Sequence, residues 1–305
     1  MSDMRVNLCG VELKNPVIAA SGTFGYGMEY NEFYPVSTLG GISCKGTTLR
    51  ERQGNLSPRI AETPSGMLNS VGLQNPGVEM FLSTYLPWLK GQGTAVIANI
   101  AGHSLEEYGE MAERLRDSAV DLIELNISCP NVKEGGVNFG TSCGSVEAVT
   151  ALVKKRCGDK PLMVKLTPNV TSIGDIAAAA EAAGADALSL INTLTGMRVD
   201  IRTRRPILHN NTGGLSGPAV FPVAVRMVHE AYRRVRVPVV GMGGISTWED
   251  AAEMMIAGAA AVQVGAANFR DPFAMPKIID GLAAFAQSQK LSSITELTGT
   301  LQEWT

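Results

Sequence analysis

A repeated unit of helix, small-residue turn and short apolar strand is the feature that most constrains the fold. In two copies the turn contains a glycine, Gly184 before residues 187–191 and Gly258 before residues 261–264. Glycine in this place is typical of a helix end, where the backbone adopts a left-handed conformation. Short apolar strands that alternate with helices predict parallel β/α units.

Eight segments have the character of strands in such a repeat, and eight strands close a (β/α)8, or TIM, barrel of ~250 residues. The 305 residues suffice for it, and no linker interrupts them, which predicts one domain over residues 1–305. Two polar, glycine-rich stretches, residues 45–76 and 192–218, each follow a predicted strand. We expect both as loop insertions at the C-terminal face, where such barrels carry their chemistry. The predicted strands are residues 17–21, 41–44, 96–100, 122–126, 162–166, 187–191, 239–241 and 261–264.

Two helix starts are also predicted. Ser104 and Ser246 are each followed three residues later by a glutamate, Glu107 and Glu249. This spacing is typical of a capping box, in which the hydroxyl and the carboxylate bond the free N–H groups of the first turn.

The composition limits the classes of function. A net charge of −3 gives no electrostatic reason to expect nucleic acid or an anionic membrane as a partner. No stretch reaches the ~20 apolar residues that span a bilayer, and the first residues show no secretory signal. The five cysteines are odd in number and widely spaced. This predicts no disulfide framework, metal site or iron–sulfur cluster in this chain, and favours the cytoplasm.

The segment from Asn126 to Asn131, with sequence Asn-Ile-Ser-Cys-Pro-Asn, follows a predicted strand directly and should lie at the barrel mouth. Each asparagine offers a donor and an acceptor, which suits a heterocycle with C=O and N–H edges. The Cys129 thiol, with a reference pKa of ~8.5, suits a nucleophile or a base. A small buried cysteine is an equally good interpretation.

Two lysines lie at or near strand ends. Lys165 lies inside an otherwise apolar strand and Lys45 directly follows one. Burying a lysine is costly unless an anion meets it, which predicts an anionic ligand. The alternative is a salt bridge to an inward-pointing acid, for which Glu124 is the evident candidate.

Glycines follow the last two predicted strands, at Gly243-Gly244 and at Gly265-Ala266. Loops at these places form the phosphate site of many barrels, because glycine lets the backbone N–H groups approach the phosphate closely. Tight turns also need glycine, so the pattern is moderately specific. No G-x-G-x-x-G fingerprint opens the helix.

Taken in order along nearly the whole chain, these motifs resemble the class 1 dihydroorotate dehydrogenases, which have cysteine as base where class 2 has serine. The resemblance implies an FMN-dependent TIM barrel that oxidises dihydroorotate to orotate in pyrimidine biosynthesis. Residues 211–218 resemble the B subtype. That likeness implies a partner subunit with FAD and a [2Fe–2S] cluster, NAD+ as final acceptor, and a homodimer within a heterotetramer. The motifs are residues 126–131, Lys45, residues 69–73, Lys165, residues 192–193, residues 214–217 and residues 243–244.

The resemblance also implies roles for residues, with Cys129 as the catalytic base. One departure is Ala266, which stands where relatives usually have threonine and removes a hydroxyl from the expected phosphate site. Implied substrate contacts are Lys45, Asn69, Ser70, Val71, Gly72, Leu73, Asn126, Asn131, Asn192 and Thr193. Implied FMN contacts are Ser21, Lys45, Gly46, Asn99, Asn126, Lys165, Ile191, Gly217, Gly243, Gly244, Gly265 and Ala266.

Three alternatives stay open. A related FMN barrel acts on uracil- or uridine-like pyrimidines, which lack the substrate carboxylate. The A subtype is a homodimer that uses fumarate. Outside the enzymes, a barrel that only binds a nucleotide or docks a partner would need separate explanations for the buried lysine and the two glycine loops.

Overall fold

The computed structural model describes residues 2–127 and 139–304. Its strands are β1 (Val6–Leu8), β2 (Val11–Leu13), β3 (Val17–Ala19), β4 (Gly41–Ser43), β5 (Ile60–Thr63), β6 (Gly66–Asn69), β7 (Ala95–Ile100), β8 (Leu122–Asn126), β9 (Leu162–Lys165), β10 (Ala187–Leu190), β11 (Leu194–Gly196), β12 (Val199–Asp200), β13 (Arg205–Pro206), β14 (Gly213–Ser216), β15 (Val239–Met242) and β16 (Ala259–Val264). Its helices are α1 (Met28–Asn31), α2 (Val78–Met80), α3 (Leu86–Gly91), α4 (Leu105–Arg116), α5 (Cys143–Arg156), α6 (Ile173–Ala182), α7 (Phe221–Arg234), α8 (Trp248–Ile256), α9 (Ala267–Arg270) and α10 (Ala274–Ser288).

Eight of these strands form a closed parallel barrel in the order β3–β4–β7–β8–β9–β10–β15–β16, and β16 pairs with β3 to close it. Each of them coincides with a predicted strand, with ends that differ by at most about two residues, within the usual error of a boundary drawn from sequence. The TIM-barrel prediction is therefore confirmed. The strands are apolar along their whole length because each is buried on both faces, against the barrel interior and against the helices outside.

Helix α4 illustrates how the outer layer packs. Its buried residues Tyr108, Met111 and Leu115 recur at helical spacing and form the stripe that faces the barrel. Ser104 caps the helix as predicted, because its hydroxyl accepts a hydrogen bond from the N–H of Glu107. The Glu107 carboxylate accepts a hydrogen bond from the main-chain N–H of His103 at 2.7 Å. In the predicted capping box it would accept from the N–H of Ser104, one residue later.

The predicted start of helix α8 is wrong by one residue. The N-cap is Thr247, whose extended backbone places Asp250, instead of Glu249, at the third helical position. Asp250 accepts hydrogen bonds from the N–H groups of Ser246 and Thr247, at 2.8 and 3.0 Å, and completes a capping box. At the other end of this helix Gly258 has a φ of 132°, as the glycine rule predicts.

A hairpin that was not predicted from the sequence covers the N-terminal end of the barrel. Strands β1 and β2 pair antiparallel, and Leu8 and Leu13 on them are fully buried. The Cys9 thiol donates to the carbonyl oxygen of Asp186, directly before β10, with sulfur and oxygen 2.9 Å apart. Burial raises the pKa of Cys9 to about 11, so the thiol is neutral at physiological pH.

The two insertions lie at the C-terminal end of the barrel, as expected. They also join into one sheet, which was not predicted. Strands β5 and β6 come from the first insertion, β11 and β14 from the second, and the antiparallel order is β11–β14–β6–β5. Glycine is required where the insertions meet, because a Cβ on Gly66 would lie 2.1 Å from the main-chain oxygen of Ser216. We call this four-stranded sheet the roof.

Candidate active site

A cleft lies between the C-terminal ends of the barrel strands and the roof. It is bounded below by residues of the barrel and above by β6 and β14. Most residues that the sequence proposed for the site line this one cleft. They are Ser21, Lys45, Gly46, Asn69, Val71, Gly72, Leu73, Asn126, Lys165, Ile191, Asn192, Thr193, Gly217, Gly243, Gly244, Gly265 and Ala266.

Two proposed residues, Ser70 and Asn99, are not among the described residues that line the cleft. Ser70 is fully buried, and its hydroxyl has no hydrogen-bond partner among the described residues. Asn99 is buried beside Gly46. A Cβ on that glycine would lie 2.9 Å from the side-chain oxygen, Oδ1, of Asn99. Cys129 and Asn131 lie outside the described residues.

A polar layer lies inside the barrel below the cleft. Ser43, Glu124, Ser189 and Gln263 come from alternate barrel strands and are at most 1% exposed. Residues of alternate strands form the interior layers of such barrels, where bulky apolar side chains usually dominate. A layer of hydroxyls, an amide and a carboxylate therefore needs a physical reason.

Glu124 is the centre of this layer. Its Oε1 atom accepts from the Ser189 hydroxyl at 2.7 Å and from the Gln263 amide at 2.8 Å. Its Oε2 atom accepts from the Ser43 hydroxyl at 2.5 Å and from the Asn99 amide at 2.7 Å. These four bonds use the four acceptor positions that a carboxylate has.

Lys165 ends strand β9 and lines the cleft while only 5% exposed. Within the described part of the chain, no carboxylate lies within ion-pair distance of its ammonium group, so the salt-bridge alternative is not realised there. Its charge still acts on Glu124. Burial by itself raises the pKa of Glu124, but the charge of Lys165 and the bonds just described lower it below its usual value, so the carboxyl is ionised.

Asparagines connect the ends of two barrel strands beside Lys165. The Asn192 amide donates to the Asn126 side-chain oxygen, with nitrogen and oxygen 3.4 Å apart. The Asn192 oxygen in turn accepts from the N–H of Thr193 at 2.8 Å, which fixes the chain as it leaves the barrel. These groups present amide edges of the kind that a heterocycle with C=O and N–H groups requires.

The loop after β15 needs glycine twice. Gly243 and Gly244 have φ values of 122° and 79°, which side-chain-bearing residues rarely adopt. A Cβ on Gly244 would lie 2.8 Å from the Phe221 nitrogen and 2.9 Å from the Gly217 oxygen. Gly265 differs, because a Cβ there would make only ordinary contacts of 3.5 Å or more.

Sequence reasoning missed part of the cleft wall. Gln263 carried a usable signal, since a polar residue inside an apolar strand is the pattern that drew attention to Lys165. Apart from Asn69, the residues contributed by the roof strands were missed, because the roof itself was not predicted. The missed residues are Ala20, Gly22, Thr23, Ile60, Met67, Leu215, Ser216, Val220, Met242, Gln263 and Phe269.

No helix in residues 2–127 or 139–304 combines the length and apolar character needed to cross a membrane.

Comparison with known proteins agrees with the fold. The family model described as "Dihydroorotate dehydrogenase" matches residues 3–285. A protein of Alkaliphilus metalliredigens, named "Dihydroorotate dehydrogenase B (NAD(+)), catalytic subunit", is 54% identical over 299 residues, which cover 98% of this chain and 99% of the relative. The proteins of the same name from Parabacteroides distasonis and Geotalea uraniireducens are 53% and 52% identical, each with at least 98% of both chains covered.

Proposed function

This chain belongs to the dihydroorotate dehydrogenase family, and from that premise we propose that it oxidises dihydroorotate to orotate in pyrimidine biosynthesis. The observation that carries the proposal is the full-length similarity to relatives named as the NAD(+)-linked B enzyme's catalytic subunit. The alternatives, a uracil- or uridine-type flavin barrel and the fumarate-using A subtype, are not favoured by these relatives.

The residues of the cleft fit FMN, the flavin that we propose for this flavin-dependent family. The side-chain oxygens of Asn99 and Gln263 are buried and unpartnered among the described residues, and can accept from the ring N3–H and the ribityl hydroxyls of FMN. Lys165 supplies a positive charge beside them. The open backbone at Gly243 and Gly244 suits a phosphate, which glycine lets approach closely. The other proposed FMN contacts are Ser21, Lys45, Gly46, Asn126, Ile191, Gly217, Gly265 and Ala266.

The proposed substrate contacts come from the ends of barrel strands and, in Asn69, from the roof. Lys45 pairs with the carboxylate of dihydroorotate, because an ammonium in a partly desolvated cleft favours an anion. Asn69, Asn126 and Asn192 bond the pyrimidine C=O and N–H groups. Further proposed contacts are Ser70, Val71, Gly72, Leu73, Asn131 and Thr193.

We assign the proton and charge chemistry to two side chains. Cys129, which lies outside the described residues, removes the proton from C5 of the substrate as general base. Bound FMN supplies the acceptor for the hydride that leaves C6. Lys165, fixed at the end of β9, stabilises the negative charge that develops beside it during this transfer.

The electron route beyond this chain is also part of the proposal. The relatives' name, catalytic subunit, implies a second subunit. We propose that this subunit carries FAD and a [2Fe–2S] cluster and passes electrons to NAD+, that two copies of each subunit form a heterotetramer around a homodimer of this chain, and that the assembly works in the cytoplasm.

The test uses the purified chain. We expect a yellow protein whose flavin absorbance bleaches when dihydroorotate is added without oxygen. The proposal would be refuted if the chain takes up no added FMN, or if its bound flavin stays oxidised after dihydroorotate is added. Dihydrouracil in place of dihydroorotate separates the uracil-type alternative, and reoxidation by fumarate separates the A subtype.

A further inference from the structure

We propose that Glu124 is a positioning residue that orients the amides of Asn99 and Gln263 so that their carbonyl oxygens, and not their NH2 groups, are offered to the flavin. The inference rests on the proposed function, because it names a flavin as the group that these amides meet. Glu124 itself lies beneath the cleft and acts only through the side chains it holds.

The donor and acceptor pattern fixes the direction of both amides. An ionised carboxylate can only accept, so each amide must turn its NH2 group toward Glu124. The two NH2 groups are 2.7 and 2.8 Å from the carboxylate oxygens. The oxygen atoms of the same two amides, Asn99 Oδ1 and Gln263 Oε1, are buried and have no partner among the described residues.

Both unpartnered oxygens lie next to the cleft. Gln263 is one of the cleft-lining residues. The oxygen of Asn99 lies against Gly46, another lining residue, at the place where any larger side chain would cover it. Buried carbonyl oxygens without partners are uncommon in folded proteins and call for a ligand or a water molecule. FMN can satisfy two such acceptors, with the N3–H of its ring and the hydroxyl groups of its ribityl chain.

Charge gives Glu124 a second effect on the same ring. Its carboxylate is fully buried and attracts the ammonium of Lys165, yet its four acceptor positions are taken by other donors. Lys165 therefore keeps its hydrogen-bonding capacity for the ligand while its charge is partly balanced from below. Removing the negative charge leaves a more positive environment, which favours the reduced, more negative flavin.

The deciding variant is Glu124→Gln. A glutamine has one donor arm, so at least one neighbouring amide must turn over and point its NH2 group at the ring. We expect about 10-fold weaker binding of FMN to the apoprotein, since a lost buried hydrogen bond typically has an effect of this size. We also expect the midpoint potential of the bound flavin to become more positive, which a loosened fold alone would not produce. Unchanged affinity together with an unchanged potential would overturn the proposal.

Two further variants keep the test decisive. Gln263→Met removes one offered oxygen and retains the carboxylate, so FMN affinity should fall about as much even if Glu124→Gln fails to fold. Ser189→Ala removes a donor to Glu124 that does not line the cleft. It should leave FMN affinity within about twofold. Wild-type affinity in Gln263→Met, or an equal loss in Ser189→Ala, would refute the positioning role.

The experiment also separates this inference from the proposed function. If the wild-type chain binds no FMN, or dihydroorotate does not reduce it, the proposed function fails first. If the wild-type chain does both and the variants behave like it, only the role of Glu124 fails.

Discussion

The Tyr108 hydroxyl of helix α4 donates a hydrogen bond to the main-chain carbonyl oxygen of Asn126, with the two oxygens 2.8 Å apart and both residues buried. The bond ties the helical layer to the last residue of β8 and so to the start of the segment that contains Cys129. The ring of Phe139, where the described chain resumes, packs edge-on against the same tyrosine.

Replacing this tyrosine tests what the bond contributes. Tyr108→Phe should lower the free energy of unfolding by about 1 kcal/mol, because it leaves a buried carbonyl oxygen with one partner fewer. Urea denaturation followed by circular dichroism measures it. Tyr232→Phe, at a more exposed position on α7, should stay within about 0.5 kcal/mol of the wild type. Equal stabilities for the two variants would show that the bond is without effect.

Cys129→Ala should bind FMN and lose flavin reduction by dihydroorotate by ~100- to 10,000-fold, the usual contribution of a general base. Stopped-flow bleaching of the flavin without oxygen measures the rate. Cys129→Ser should keep some activity with its optimum at higher pH, since a hydroxyl is the poorer base. Cys143→Ala, which alters an exposed thiol, should react like the wild type. Near-wild-type reduction in Cys129→Ala would remove the cysteine from the mechanism.

Ala266→Thr should strengthen FMN binding about two- to tenfold, because it supplies the hydroxyl that the expected phosphate site lacks and one net hydrogen bond has roughly this value. Quenching of FMN fluorescence on titration of the apoprotein gives the dissociation constant. Ala284→Thr, on the exposed side of α10, is the matched control and should not change it. Weaker binding in Ala266→Thr would mean that the cleft has no room for the hydroxyl.

Gly244→Ala should weaken FMN binding at least tenfold. The new Cβ would require the main chain of Phe221 and Gly217 to move, at a φ that alanine rarely adopts, and strain of this kind typically costs about 1–3 kcal/mol. Equilibrium dialysis of the apoprotein measures the affinity. Gly144→Ala in α5, where a Cβ meets nothing within 4 Å, should bind FMN normally. Wild-type affinity in Gly244→Ala would show that this loop does not shape the phosphate site.

The acid stability of the barrel should depend on Glu124. Its pKa is lowered in the folded state. Its ionised form therefore stabilises the fold above the ordinary glutamate value of about 4.3, and this contribution is lost as pH falls through the lowered value. Between about pH 5 and about pH 3 the wild type should lose more unfolding free energy than Glu124→Gln. Glu32→Gln, at an exposed site, should follow the wild type; equal losses in all three proteins would contradict the prediction.

The barrel could be predicted because its information is local. Gly258 after a helix and the apolar strand that follows it are read within a few residues, and each repeat supports the next. The start of α8 was misplaced because Ser246 and Thr247 are both good caps, and the backbone conformation of Thr247 decides between them. Sequence alone does not specify that conformation.

The roof could not be predicted for the opposite reason. The amide of Asn69 contacts the carbonyl of Gly214 across a separation of 145 residues, and neither β6 nor β14 has the apolar alternation of an ordinary strand. The role of Glu124 was likewise hidden, because four donors from four other strands define it. Lys165 was found since a charge inside an apolar strand is visible without knowledge of its neighbours.

The long separation between β6 and β14 has a consequence for how the protein matures on the ribosome. Chains emerge from the N-terminus, so β5 and β6 are made long before the strands that complete their sheet. A nascent chain that stops short of residue 213 has most of the barrel strands and three of the four roof strands, but it lacks β14, the strand that joins β11 to β6. Cofactor loading must therefore come late in biogenesis, after the chain is nearly complete, and cannot guide the earliest steps of folding.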